Sequence, residues 1–300
     1  MRNQYRGRFA PSPTGPLHFG SLVAALGSYC EARRQGGEWL VRIEDLDAAR
    51  VAPGAVGEIL RVLEACGMQW DGAVVSQSSR SDAYHAALHE LRQHDLVYPC
   101  ACSRREIADS AAAGIEGHVY PGTCRPGLPL RKKARALRID THGVEVRFND
   151  ALQGAVTQNL EADIGDFVLY RADRVFAYQL AVVIDDAEQG VTHVVRGADL
   201  LASTPRQIYL QTVLGLARPH YLHLPIAVDA RGRKLSKQTR ATAIDCGQAA
   251  SALLTALRFL GQRPPAELAG ARAGEVLQWA IDNWRTARIP HARHIPAPTQ

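Results

Sequence analysis

Apolar residues in the first hundred positions alternate between helix-like and strand-like spacing. The run FGSLVAALGSYCEARRQGG, residues 19–37, carries an apolar face and predicts an amphipathic helix that Gly36–Gly37 ends. The segment EWLVRIED, residues 38–45, predicts a short buried strand that ends in carboxylates. The apolar face of the helix consists of Leu22, Val23, Leu26, Tyr29 and Cys30.

Two more helical patterns follow this strand, at residues 53–67 and 81–96, and Ser81 is the expected N-cap of the second. The rhythm breaks between about Tyr98 and Arg171, where glycine, proline and small residues are frequent. Because strands and helices alternate before this break, we expect an α/β fold with a parallel sheet that an inserted module interrupts.

Strand and helix patterns alternate again after about Arg171. VFAYQLAVVIDD, residues 175–186, and VTHVVRG, residues 191–197, predict two strands, and a helix with Pro205 in its first turn follows. The last 75 or so residues have a helical pattern, and we expect the final segment HARHIPAPTQ to fray.

Composition and charge narrow the class of protein. The 300 residues are 46% hydrophobic and 22% charged, which is ordinary for a globular chain, and the formal charge of +5 favours polyanionic partners. The first residues lack the apolar core of a signal peptide, and no apolar run approaches the roughly 18 residues of a membrane span, so we expect a cytoplasmic protein without membrane contact. Six cysteines in that compartment argue against a disulfide scaffold.

The stretch PSPTGPLHFGS, residues 11–21, is the first candidate for chemistry. Its three prolines stiffen the chain, while Gly15 and Gly20 allow a ligand to approach the backbone closely. His18 stands at the start of the predicted helix, where the helix dipole favours a phosphate. The alternative is a proline-rich turn with an incidental histidine.

The stretch RGRKLSKQTR, residues 231–240, is the second candidate. Five basic residues surround one serine there, which suits a clamp for polyphosphate charge. A solvated basic surface is the alternative.

Taken together, the two stretches carry a resemblance. PSPTGPLHFGS resembles the first signature of the class I aminoacyl-tRNA synthetases, and KLSKQ resembles their second. The segments RFAPSPTG, RIEDLD, AYQLAVVIDD and THVVRGADLLASTPRQ resemble the glutamyl branch of that family. The resemblance extends from Arg8 to about Gln238. It implies a Rossmann-like parallel sheet with a zinc-bearing insertion and a small helical C-terminal domain.

The domain limits that follow are expectations. We expect the first half of the catalytic domain in residues 1–98, an inserted module of the acceptor-binding type in residues 99–171 and the second half of the catalytic domain in residues 172–225. Residues 226–300 then hold the KLSKQ loop and the helical C-terminal domain.

The sequence also departs from the usual pattern of this family. The second histidine of the first signature is Ser21 here, and the last serine of the second signature is Gln238. Ser21 still offers a hydroxyl, so we expect ATP binding to persist. Only 62 residues follow Gln238, too few for the anticodon-binding domain of full-length glutamyl-tRNA synthetases.

A short glutamyl-type chain without an anticodon reader implies a particular ligase activity. Such paralogues activate glutamate with ATP and load it onto the queuosine base in the anticodon loop of tRNA(Asp). Two alternatives stay open: a truncated glutamyl-tRNA synthetase that charges a tRNA 3′ end, and an inactive synthetase-like RNA-binding protein. The implied partners are ATP, L-glutamate and tRNA(Asp) carrying queuosine, with the enzyme as a monomer.

The resemblance assigns residues to each substrate. Glu44 would hold the ammonium of glutamate, and Arg196 would favour glutamate over glutamine because a neutral amide leaves its charge unpaired. His18 and Lys237 are the implied catalytic residues, acting on the phosphates, and Mg²⁺ would arrive with ATP. The full glutamate set is Arg8, Ala10, Ser12, Glu44, Tyr178 and Arg196. The full ATP set is His18, Gly20, Ser21, Lys234 and Lys237.

Cysteines cluster in the expected insertion. Cys100, Cys102 and Cys124 supply three thiols, and with one further donor they can close a tetrahedral, structural Zn²⁺ site. The family pattern favours Tyr120 as that donor, and His118 remains the alternative. Three reduced core cysteines are the simpler explanation. The neighbouring basic stretch, residues 125–138, can track RNA phosphates or form a solvated face.

Overall fold

The computed structural model describes residues 4–110, 112–115, 117–229, 231–233 and 242–298. Its strands are β1 (Arg6–Phe9), β2 (Glu38–Ile43), β3 (Val75–Ser76), β4 (Val97–Cys100), β5 (Ala113–Gly114), β6 (Gly117–His118), β7 (Ala136–Ile139), β8 (Glu145–Asp150), β9 (Gly154–Asn159), β10 (Val168–Tyr170), β11 (His193–Gly197), β12 (His220–Leu224), β13 (Ile226–Val228) and β14 (His294–Pro296). Its α-helices are α1 (Phe19–Arg34), α2 (Ala55–Ala65), α3 (Ser81–Gln93), α4 (Arg104–Ser110), α5 (Leu160–Asp163), α6 (Tyr178–Glu188), α7 (Thr204–Val213), α8 (Ala249–Phe259) and α9 (Ala273–Asn283).

Parallel strands form the centre of the fold. β2 lies between β1 and β3 in one parallel group, and β11 pairs with β12 in another. The two groups meet where the Thr192 N–H donates to the Arg6 carbonyl over 2.9 Å, so β1 and β11 lie side by side. The predicted α/β fold with a parallel sheet is therefore confirmed.

Helix α1 is buried on more sides than its sequence pattern predicts. The five residues of its predicted apolar face are buried, but so are Ala25, Ser28 and Glu31. Its remaining surface is covered because α8 and α9 pack against it. The helix ends before Gly36, whose φ of +63° explains the glycine there. The predicted helix and its end before Gly36–Gly37 are thus confirmed, and its burial extends beyond the predicted apolar face.

Three local predictions are corrected. Residues 178–186 of the run expected as a strand belong to α6, because an apolar run that is buried on every side has no period that separates helix from strand. Ser81 is the first residue of α3 rather than its N-cap, and its hydroxyl lies near His85 instead. The expected fraying at the end is wrong for His294–Pro296, which pair as β14 with β13 in parallel.

The region that breaks the parallel rhythm is built from antiparallel strands. β7 lies between β4 and β10, and β8 and β9 form a hairpin. The hairpin turn packs back onto the parallel sheet, since the Ala151 N–H donates to the carbonyl of Tyr221 on β12 over 2.9 Å. No helix in the described part of the chain is both long and apolar enough to cross a membrane.

Candidate active site

A cavity of about 950 Å³ opens at the carboxyl ends of β1, β11 and β12, beside the first turn of α1. This edge of a parallel α/β sheet is where ligands bind, because the strands end there and helix N-termini point towards it. The residues that line the cavity include all six implied glutamate residues and three of the implied ATP residues: Arg8, Ala10, Ser12, Glu44, Tyr178, Arg196, His18, Gly20 and Ser21. Lys234 and Lys237 lie outside the described residues.

His18 is the N-cap of α1. Its Nδ1 accepts from the Ser21 N–H over 3.4 Å, and its Nε2 lies 3.2 Å from the Ser21 hydroxyl. The serine that departs from the family pattern therefore contacts the histidine that is kept. Gly15 has a φ of +143°, so the turn before His18 requires a glycine.

The chain on either side of the basic stretch reaches this same corner. Ala227 lines the cavity before the stretch, and Ala243 forms an antiparallel bridge with His18 after it. The Ile244 N–H also donates to the Leu17 carbonyl over 2.9 Å. The first signature thus lies beside the described segments that flank the second.

A buried cluster of charges underlies the cavity floor. Arg42 has no exposed surface, and its Nη1 lies 2.8 Å from Asp186 Oδ1. Arg8 donates through Nε to the same carboxylate over 3.1 Å. Burial alone would raise the pKa of Asp186, but Arg8 and Arg42 hold that pKa below its usual value. Asp185, next along α6, accepts from Arg80 and from the Tyr84 hydroxyl.

Glu44 lies at the edge of this cluster with an unmet hydrogen-bonding demand. Its Oε1 is 3.5 Å from Arg42 Nη2, yet it accepts no hydrogen bond within the described part of the chain. Burial raises the pKa of Glu44 to about 7, because it opposes the charged form more strongly than Arg42 and Arg8 favour it. A cationic donor placed in the cavity would satisfy this carboxylate.

Arg196 is a buried cation whose described hydrogen-bond partners carry no compensating negative charge. Its Nε lies 3.1 Å from His223 Nε2, its Nη2 donates to Gln207 and Thr204, and its Nη1 donates to the Tyr178 hydroxyl over 3.4 Å. All of these partners are neutral, and no carboxylate of the described residues forms an ion pair with Arg196. A buried guanidinium without a carboxylate attracts an anionic ligand.

The residues that hold Arg196 were not among those predicted from the sequence. Arg196 and His223 are direct partners in the register of β11 and β12, so a histidine inside the apolar run YLHL was a usable signal. Thr204 and Gln207 lie within the segment THVVRGADLLASTPRQ, whose resemblance to the glutamyl branch did not single them out.

The three clustered cysteines form a second group of candidate ligands, away from the cavity. Cys100 ends β4, Cys102 follows two residues later, and Cys124 lies in the loop between β6 and β7. Their sulfurs lie within 4.8 Å of one another, and Cys102 Sγ and Cys124 Sγ are 3.6 Å apart. The Tyr120 hydroxyl is 3.4 Å from Cys100 Sγ and 3.7 Å from Cys102 Sγ, whereas His118 is exposed and is not part of the group.

This donor set fits zinc. Thiolates in a tetrahedral site with Zn–S bonds of about 2.3 Å are roughly 3.8 Å apart, close to the spacing of Cys102 and Cys124. Arg138 supports the group from outside, because its Nε donates to Cys100 Sγ over 3.3 Å and its guanidinium lies 3.9 Å above the Tyr120 ring.

Comparison with known proteins gives a consistent set of relatives. The family described as tRNA synthetases class I (E and Q), catalytic domain, matches residues 4–279. The glutamyl-Q tRNA(Asp) synthetase of Dechloromonas aromatica (strain RCB) is 59% identical over 300 residues, which cover 99% of this chain and 100% of the relative. The glutamyl-Q tRNA(Asp) synthetase of Chromobacterium violaceum is 55% identical over 95% of each protein.

A solved structure is similar over a smaller share of its own length. The glutamate-tRNA synthetase from Elizabethkingia anophelis matches with a TM-score of 0.79 and 26% sequence identity. The match covers 98% of this chain and 68% of that structure.

Replacement of Asp186 tests the charge cluster. In Asp186→Asn, Arg8 and Arg42 lose the carboxylate they share, so we expect the free energy of unfolding in urea to fall by about 3 kcal/mol. The control Asp173→Asn removes an exposed partner of Arg171 and should cost less than about 1 kcal/mol. Equal losses in the two variants would contradict the cluster's structural role.

Proposed function

The chain belongs to the family of class I tRNA synthetases for glutamate and glutamine, and we propose that it activates glutamate with ATP and transfers it to queuosine in tRNA(Asp). The resemblance indicated by the two signatures is confirmed by the family match over residues 4–279. Relatives at 52–59% identity that match this chain over 93–100% of their own length carry the name glutamyl-Q tRNA(Asp) synthetase. This supports the queuosine acceptor over a tRNA 3′ end.

The observation that carries glutamate activation is the presence of an under-bonded carboxylate and a guanidinium without a carboxylate partner among the described residues, both lining one cavity. Glu44 has a buried oxygen that accepts no hydrogen bond from the residues the structure describes, and Arg196 is a buried cation whose described partners are neutral. An amino acid with an ammonium group and a side-chain carboxylate satisfies both at once. Glutamine would satisfy only Glu44, because its amide leaves Arg196 without an anion.

The remaining glutamate contacts follow from this orientation. The α-carboxylate would bind Arg8, whose Nε and Nη2 donate to Asp186 while its Nη1 has no hydrogen-bond partner among the described residues. Ala10 and Ser12 would line the wall beside it, and the Tyr178 hydroxyl would join Arg196 at the side-chain carboxylate.

Activation needs positioning and charge stabilisation rather than a covalent enzyme nucleophile. An oxygen of the glutamate α-carboxylate attacks the α-phosphorus of ATP, and the bond to pyrophosphate breaks. His18, Gly20 and Ser21 at the α1 N-terminus would contact the phosphates. Lys237, with Lys234, would stabilise the leaving pyrophosphate, and Mg²⁺ bound to ATP would neutralise further charge.

In the second step, a hydroxyl of the modified base attacks the glutamyl carbonyl, and AMP leaves. We propose that the module of residues 99–171 contacts the RNA and that the enzyme works as a monomer. The zinc ligands within this module would be Cys100, Cys102, Tyr120 and Cys124. Four protein ligands leave no open position for water, so the metal would be structural.

Transfer of labelled glutamate to two tRNA pools tests the acceptor. One pool comes from cells that make queuosine and the other from cells that cannot. We expect label only in the first pool, retained on the anticodon fragment after the 3′ end is cut away. Label in both pools that is lost with the 3′ end would instead identify a charging enzyme, and no glutamate-dependent activity at all would identify an inactive RNA-binding protein.

The pH dependence of glutamate activation tests Glu44. The ionised carboxylate binds the substrate ammonium, and with a pKa of about 7 its ionised fraction rises about tenfold between pH 6 and 8. We therefore expect kcat/KM for glutamate in ATP–pyrophosphate exchange to rise by about that factor and then level off.

The variant Glu44→Gln should be weakly active and lack this rise. The control Asp45→Asn removes the adjacent carboxylate, which accepts from Ser78, and should keep the rise. A rise that persists in Glu44→Gln would rule out this assignment.

Metal analysis of purified protein tests the zinc site. We expect about one equivalent of zinc in the unmodified protein and a clear loss in Cys102→Ser, because a hydroxyl replaces a thiolate ligand. The exposed Cys246 provides a matched control, and Cys246→Ser should keep its zinc. Unmodified protein without zinc would refute the assignment.

A further inference from the structure

Three buried residues form a continuous hydrogen-bonded chain that ends at the cavity. Asp150 Oδ2 lies 2.6 Å from His223 Nδ1, and Arg196 Nε lies 3.1 Å from His223 Nε2. Asp150 is 1% exposed, His223 is 0% exposed and Arg196 is 5% exposed. Asp150 belongs to β8, in the antiparallel region, while the other two residues lie on the paired strands β12 and β11.

Only one form of the His223 ring fits this arrangement. The Asp150 carboxylate can only accept, so Nδ1 carries the proton; the Arg196 Nε can only donate, so Nε2 must offer its lone pair. If both nitrogens of the ring were protonated, the Nε2–H donor of His223 would face the Nε–H donor of Arg196. Burial, with Arg196 acting in the same direction, lowers the pKa of His223 to about 4, so the ring is neutral near pH 7.

The Asp150 carboxylate is itself fixed by the β8–β9 turn. Its Oδ1 accepts from the backbone N–H groups of Leu152 over 3.0 Å, Gln153 over 2.8 Å and His223 over 3.2 Å. Because Oδ1 is fully engaged with these donors, Oδ2 is left facing the imidazole. The turn therefore determines which ring nitrogen of His223 is protonated.

We propose that Asp150 and His223 are positioning residues that aim the Arg196 guanidinium at the side-chain carboxylate of the substrate and so set the preference for glutamate over glutamine. This proposal rests on the proposed function. A neutral imidazole holds the Arg196 Nε–H without cancelling the guanidinium charge. A carboxylate in direct contact would cancel that charge and remove the penalty for a neutral amide.

The variant Asp150→Asn tests the role of the ring tautomer. Since the Oδ1 site is filled by backbone donors, the new amide nitrogen takes the Oδ2 place and donates to Nδ1. The proton then moves to Nε2, and a donor faces the Arg196 Nε–H. In ATP–pyrophosphate exchange we expect KM for glutamate to rise at least tenfold and the preference over glutamine to fall, with KM for ATP unchanged within about twofold.

The matched control is Gln153→Ala. It removes another contact between the turn and β12, the bond from Gln153 Nε2 to the His223 carbonyl over 2.9 Å, but does not touch the imidazole. We expect KM for glutamate to stay within about twofold of the unmodified value. An equal rise in both variants would show that the turn acts only as structural support, and the proposal would be overturned.

If Asp150→Asn folds poorly, two substitutions of His223 test the positioning of Arg196 instead. In His223→Gln the amide reaches the place of Nε2 and keeps an acceptor for Arg196, whereas in His223→Asn it reaches only the place of Nδ1. We expect KM for glutamate to rise less than threefold in the first variant and more than tenfold in the second. Equal values in the two variants would overturn the proposal.

Measurements on the unmodified protein distinguish failure of the proposed function from failure of the positioning role. If it shows no glutamate-dependent exchange, with or without tRNA, the proposed function fails. If it exchanges normally and Asp150→Asn keeps the unmodified KM for glutamate and discrimination against glutamine, the positioning role alone fails.

Discussion

A guanidinium with no exposed surface holds helix α6 against the first parallel group of strands. Arg42 lies on β2, and the carboxylates that neutralise it, Asp185 and Asp186, lie on α6, far beyond the antiparallel region in the chain. A buried cation without these partners would cost several kcal/mol, so β2 and α6 must come together. The same contact places Glu44, two residues after Arg42, and Tyr178, the first residue of α6, at one cavity.

Paired charges beneath the cavity adjoin charged groups in its lining that lack a full set of partners. Asp186 is held by two arginines, whereas among the described residues Glu44 Oε1 accepts no hydrogen bond and Arg196 has no carboxylate partner. The two unsatisfied groups are an electrostatic cost to the free protein that a suitably charged ligand offsets. Stability therefore resides mainly in the first kind of charge, and selectivity resides in the second.

The sequence predicted what depends on local pattern and short motifs. The parallel α/β sheet, the limits of α1 and the strand before Glu44 follow from periodicity and glycine placement. α6 was predicted as a strand because a run that is apolar on all sides carries no period. The contact of Asp150 with His223 spans 73 residues, and no local pattern encodes such a meeting. Spacing alone allows both Tyr120 and His118 as a fourth ligand, and the proximity of the Tyr120 hydroxyl to Cys100 and Cys102 supports the proposal of Tyr120.

The packing of α8 and α9 over α1 has a consequence for the order in which the chain can fold. Glu31 on α1 accepts hydrogen bonds from Trp284 and Thr286, more than 250 residues later, and α8 and α9 bury the outer side of that helix. At a synthesis rate of about 5–20 residues per second, the ribosome needs roughly 10–50 s to produce these partners. The first helix to leave the ribosome therefore keeps an apolar surface open for most of translation, a period in which nascent-chain chaperones or aggregation compete for it.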